Sequence, residues 1–373
     1  FTTTNNTLQI TSNDIILAGT LSSGSSTTTL LVSDGGTIGV GDTSGNMSIS
    51  KAELQNITAS TLTIGGSSGT GNITVDNLVT ANTGNISATL ALVTNSDISF
   101  SNNASAFTPG MDVDAGGTIA INVGLTGATF DIDGTGVTTI ASAGDINAGG
   151  AVVFGAAKSG TLTTSGDIDT SNDNITFTRA VTLGGNVDID TTGGSAGNIL
   201  FSAAIATGGN NLVLDAGTAG NVTLSGALTG KGAMTVRDGA AQSYAALTLT
   251  SLTISDATTS VTLGGALTTD AAASITSGGT IVQNAAITAG TTLTLNAEGG
   301  VDLNQNVTSA GATVVDTDTG DDGTGDFDLA ASKSFTTTNN TLQITSNDII
   351  LAGTLSSGSS TTTLLVSDGG TIG

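Results

Sequence analysis

SVTLGGALTTDAAASITSGGTIVQNAAITAGTTLTLNAEGGVDLNQNVTSAG, residues 260–311, states one short pattern over and over. A small or polar residue, a β-branched residue, any residue and then a large side chain appear as Ser260-Val261-Thr262-Leu263, Thr280-Ile281-Val282-Gln283 and Gly300-Val301-Asp302-Leu303. Each copy is followed by a second apolar run, Ala266-Leu267-Thr268 and Ala286-Ile287-Thr288. A third run, Leu293-Thr294-Leu295, lies beyond a polar turn. Alternation with period two marks strands, and no stretch keeps helical spacing over three turns.

The same ladder extends towards the N-terminus. Ala151-Val152-Val153-Phe154, Asn174-Ile175-Thr176-Phe177, Asn198-Ile199-Leu200-Phe201 and Asn221-Val222-Thr223-Leu224 precede it, 23 to 24 residues apart. The gap from Leu224 to Leu263 is two steps, which places a missing rung near Tyr244. Three short strands in about 22 residues cannot bury their own apolar face, but identical turns stacked in parallel can, at about 4.8 Å per turn. The reading is therefore all-β, a right-handed parallel β-helix with coils of 20–24 residues. Phe154, Phe177, Phe201 and Leu224 are expected in one inward column. Fifty-four glycines and a single proline fit many turns and uninterrupted ladders. A string of antiparallel sandwiches is the rival, but those carry a buried Trp or Tyr, and this chain has no Trp and one Tyr. Residues 1–150 follow the ladder less well, with Ile10, Val75, Phe100 and Ile121 as candidate rungs and longer loops expected. KAELQNITAS (51–60) comes nearest to a helix and is read as a loop or short turn.

A second periodicity is longer. Residues 1–39, FTTTNNTLQITSNDIILAGTLSSGSSTTTLLVSDGGTIG, recur unchanged as residues 335–373. Residues 1–334 are thus one complete repeat (1–150 less regular, 151–334 regular) and 335–373 open the next, both ends being expected as cuts in a longer tandem array. The second copy adds only Asp348 and Asp368, so one repeat carries −22 of the net charge of −24.

Composition removes several functions. Without His or Cys, the chain has no histidine acid–base group, thiol nucleophile, disulfide or ordinary zinc site of its own. Six Lys and Arg against thirty Asp and Glu are too few to neutralise a phosphate backbone, so nucleic acid is not an expected partner. A hydrophobic content of 37% sets the chain apart from disordered sequences. No apolar run of about 18 residues spans a bilayer, and the opening residues are not a signal segment.

GNVTLSGALTG (220–230), SVTLGGALTTD (260–270) and TLTLNAEGGVDLNQNVTSAG (292–311) resemble giant bacterial surface proteins with β-strand repeats, of the filamentous-haemagglutinin and autotransporter-passenger type. The resemblance implies a secreted, Gram-negative, extracellular or cell-surface β-helix. Taken with the long repeat, the expected role is a structural unit of an acidic filament, its partners being further copies of itself and divalent cations. A β-helical stalk carrying a separate adhesive tip is the alternative. A polysaccharide-cleaving enzyme is a distant third, and the chain is read as a non-enzyme with no cofactor unless calcium binds.

Asp316, Asp318, Asp321, Asp322 and Asp326, alternating with Gly and Thr, are the candidate calcium ligands, because such loops can wrap several carboxylates around a hard cation. They complete no EF-hand pattern. The pairs Asp131/Asp133, Asp167/Asp169 and Asp188/Asp190 are read as outward solubilising charge rather than acid–base pairs. Thr-x-Thr pairs (61/63, 161/163, 248/250, 292/294) fall at irregular intervals, unlike an ice-binding array.

Overall fold

The computed structural model describes residues 1–155, 158–192, 197–367 and 369–373, so Asp368 lies outside the described residues. The chain is a parallel β-solenoid of about 17 turns of roughly 21 residues each. It divides into two compact halves, Phe1–Gly185 and Asn186–Gly373.

The C-terminal half is the more regular. Each turn contributes one short strand to each of three parallel sheets, here called I, II and III. In sheet I, Phe201 lies opposite Leu224, Leu224 opposite Tyr244, Tyr244 opposite Leu263, then Gln283, Leu303 and Leu329. The expected missing rung is the strand Ala241–Tyr244. Sheet II takes the Ala-Leu-Thr runs, with Leu247 opposite Leu267, Ile287 and Val307 in succession. Sheet III takes the third runs, with Leu214, Val236, Ile254, Ile275, Leu295 and Val315 in register. Except for Gln283, these inward residues are apolar, and all of them are buried. Each buried aliphatic or aromatic side chain is worth about 1.5–3 kcal/mol relative to exposure. Turn after turn of that burial compensates strands of only two to five residues.

Gln283 keeps its place in the column by bonding to its own corner. Its amide donates to the Ala285 carbonyl, and its oxygen accepts from the Gln305 amide at 2.9 Å. Tyr244, also fully buried, donates to Gln242 Oε1 at 2.6 Å. Buried polar atoms are tolerated in the core because they are paired in this way.

In the N-terminal half the inward column of sheet I runs Ile10, Leu30, Ile64, Leu92, Val113, Ile132, Phe154 and Phe177. The last two rings stack with centroids 5.2 Å apart. Val75, Phe100 and Ile121 are likewise successive rungs, but of sheet II. Two turns here are long, those from Leu30 to Ile64 and from Ile64 to Leu92.

One element corrects the sequence reading. Lys51–Gln55 is a short α-helix, followed directly by the strand Ile57–Gly66. Ser50 and Glu53 close a capping box, with Glu53 Oε2 accepting the Ser50 amide at 2.8 Å and Ser50 Oγ facing the Glu53 amide. Reciprocal pairing of orphan donors stabilises even a single turn.

Candidate functional site

The acidic loop exists because one turn is over-long. Val301 pairs with Phe327, whereas Ile281 pairs with Val301 only 20 residues on. The surplus residues leave the end of strand Thr313–Asp316. Asp318 is buried there: its carboxylate accepts from the Asp322 amide at 3.1 Å and from Ser367 Oγ at 2.6 Å. Asp322 accepts the hydroxyl (2.6 Å) and the amide (3.0 Å) of Thr324, and these bonds hold its carboxyl below the ordinary value. Asp326 reaches to the following turn and accepts the Asp348 amide at 3.2 Å. Asp316 is pushed upwards, first by burial and then by Asp321 and Asp318. Asp321 sits in the left-handed region at φ 50°.

The five carboxylates are thus brought to one loop, but four of them, Asp316, Asp318, Asp322 and Asp326, each accept a different backbone amide. Among the described residues no three acidic side chains converge in a way that could hold a metal ion. Neither is there a helix long and apolar enough to cross a membrane.

The aspartate pairs behave differently from one another. Asp188 faces outward and pairs with Arg237 at 2.8 Å, while Asp190 accepts from the Thr192 amide and hydroxyl. Asp169 lies on the outer face of its strand, and Asp167 N donates to Asp145 at 2.9 Å. Asp131 faces solvent, but Asp133 does not: it is buried beneath Arg179, whose Nη2 lies 3.3 Å from its carboxylate. Solubilising charge is therefore the wrong description of Asp133. Arg179 also donates to the Gly134 carbonyl and Thr138 Oγ1, both at 3.3 Å. To reach them it crosses Gly155, where a Cβ would sit 1.9 Å from Arg179 Nε. One guanidinium thereby ties the corner following Phe177 to the turn of Asp133. Register, not sequence distance, brings these groups together. Asp112 and Asp114 lie opposite Asp131 and Asp133, with Lys158 on Asp114.

Threonine shows a further effect of register. Thr248, Thr268, Thr288, Thr308 and Thr336 form one outward column on sheet II. The residues two places on are Thr250, Asp270, Gly290, Ala310 and Thr338, so no second threonine column accompanies the first.

The duplicated segment differs most in what covers it. Phe335 is fully buried, opposite Val307 with Phe327 at 6.5 Å, whereas its equivalent Phe1 is 74% exposed. Ile349 is likewise fully buried, while its equivalent Ile15 is only partly covered. No protein-family model, curated protein or solved structure matches the chain.

Proposed function

We propose that the chain is a structural repeat of a long, acidic, extracellular bacterial filament, in which the solenoid passes from one repeat into the next without a break. The observation that carries this reading is the duplicated segment. With turns stacked beneath it, the 39-residue sequence buries Phe335 and Ile349 completely. A segment that recurs unchanged and packs its apolar residues against the turn before it is suited to the interior of an array. Covalent continuation also leaves no open strand edge at the junctions between repeats. The compositional likeness to filamentous-haemagglutinin-type surface proteins supports an extracellular setting.

Thirty acidic residues against six basic ones would hold parallel filaments apart at low ionic strength and make divalent cations the natural bridge between them. Calcium in this role links acidic loops of different filaments rather than filling one cage.

The test is electron microscopy of a chain carrying several repeats. A thin rod with an axial period of about 70 Å is expected, from roughly fifteen turns at about 4.8 Å. Separate beads would overturn the reading. Bundles formed with calcium should loosen in EDTA, and bundles indifferent to EDTA would remove calcium from it.

A further inference from the structure

The acidic loop leaves the end of one repeat, and its inner face is bonded to the segment that opens the next. Ser346, Asn347, Asp348 and Ser367 repeat Ser12, Asn13, Asp14 and Ser33 at an offset of 334 residues. Thr317, fully buried, turns its hydroxyl to Ser346 Oγ at 2.7 Å and to the Gly325 carbonyl at 2.8 Å. Ser346, also fully buried, accepts the Phe327 amide at 2.9 Å. The Asn347 amide donates to the Gly325 carbonyl at 3.2 Å, and the Asp348 amide donates to Asp326 Oδ1 at 3.2 Å. Asp318, 1% exposed, accepts the Ser367 hydroxyl at 2.6 Å.

The loop is shaped for these contacts. At Gly325 the backbone is left-handed, with φ 86°, and a Cβ would stand 1.8 Å from the Thr317 carbonyl. Only glycine lets the two arms of the loop close on each other there. Buried polar groups need partners, and here hydroxyls of the following repeat supply them. A segment without hydroxyls at the places of Ser346 and Ser367 would leave Thr317 and Asp318 short of partners inside the protein. The arrangement therefore favours one opening sequence and penalises others. Asp321 and Asp322 are exposed, and their carboxylates take no part in these bonds.

We propose that the inner face of the acidic loop is a junction clasp, a surface at the end of each repeat that recognises the opening segment of the next copy by its hydroxyls. The partner is a second copy of this sequence, and the inference rests on the filament reading. The aspartates of the loop thereby divide into two sets. Asp318 and Asp326 hold the junction, while Asp321 and Asp322 face solvent, where cations between filaments can reach them.

Amide exchange of the full chain tests the clasp through Asp318→Ala, Ser367→Ala and the two combined. The Thr317 amide, which donates to the Thr345 carbonyl at 3.0 Å, and the Asn347 amide both bond across the junction. Each single change should speed their exchange about tenfold or more by opening the contact locally. The combined variant should be no faster than Asp318→Ala, because both changes remove one interaction. Asp321→Ala, whose carboxylate lies outside these bonds, should leave the rates unchanged. Unchanged rates in both single variants, or effects that multiply in the double, overturn the clasp. Should Asp318→Ala fail to fold, Ser367→Ala decides alone, and unchanged exchange there overturns the clasp. Calcium is the rival occupant: protection of Asn347 that appears only with calcium chloride, and is lost in Asp321→Ala, also overturns it. In a chain of two consecutive repeats viewed by electron microscopy, multiplying effects within one continuous rod overturn the clasp alone. Two separate bodies overturn the clasp and the filament reading together.

Discussion

Arg179 and Lys231 both form ion pairs with aspartate, and their surroundings give those pairs opposite weights. The Arg179–Asp133 pair is withdrawn from water, burial pulling the guanidinium below its ordinary value, while the Lys231–Asp270 pair at 2.9 Å is largely exposed. Removing one member of a buried pair strands the other charge and costs about 3–5 kcal/mol, whereas an exposed pair is worth about 0–1. Urea unfolding should therefore show a large fall in midpoint for Arg179→Ala and almost none for Lys231→Ala. Equal shifts would contradict the burial. Facing within a strand is testable in the same way. Ile199 is fully inside, and Thr223, on the outer face of the next rung, is only partly covered. Ile199→Asp should abolish cooperative unfolding by burying an unpaired carboxylate, and Thr223→Asp should cost little, as read by thermal melts. Asparagine explains the first position of the sequence pattern. Asn198 Oδ1 accepts the Asn221 amide at 2.9 Å, and Asn221 Oδ1 accepts the Ala241 amide at 3.0 Å, so each residue pins the start of the next rung.

Among elements, strands were legible because their signal is local and repeated. The alternation around Val261, Ile281 and Val301 carries its own spacing, and Tyr244 could be placed by counting even though Ala241-Gln242-Ser243-Tyr244 lacks the usual pattern. The helix Lys51–Gln55 was misread for the opposite reason. Five residues give no helical periodicity, and the informative signal was the Ser50-x-x-Glu53 box. Glu53 has a second task, accepting the Leu17 amide at 3.0 Å. Burial acts to raise its carboxyl, but the amides of Leu17 and Ser50 outweigh burial and hold it low. Ser50→Ala should cost about 1 kcal/mol in chemical unfolding, with the loss confined to this turn in amide exchange. A global loss of protection would mean that the cap supports more than one turn. The burial of Asp133, and the way the acidic loop divides its carboxylates, were not legible. Both depend on which residues of distant rungs stand side by side, and a shift of one residue in any corner would change those neighbours.

At the scale of the molecule, in-register stacking has an electrostatic cost, because a carboxylate repeated at one position faces its own kind on the next rung. Asp112 stands opposite Asp131, and Asp302 opposite Asp328. Asp112, Asp131 and Asp302 are all raised above the ordinary value, burial being the larger cause and neighbouring aspartates the next. A carboxyl raised in the folded state binds its proton more tightly there than in the unfolded chain. Its contribution is therefore fully favourable below the ordinary value of 3.8 and is lost as pH rises through the raised one. Glu53 works in the opposite sense, and Asp42 and Asp322, also lowered, are exposed. With −24 net charge adding general repulsion at neutral pH, the melting temperature should rise as pH is lowered from 7 to about 5. Added salt at pH 7 should reproduce part of that rise by screening. Asp302→Asn should raise the melting temperature at pH 7 and narrow the gap between the two pH values, as followed by circular dichroism. A melting temperature that falls on mild acidification would mean that lowered carboxyls such as Glu53 outweigh the stacked aspartates.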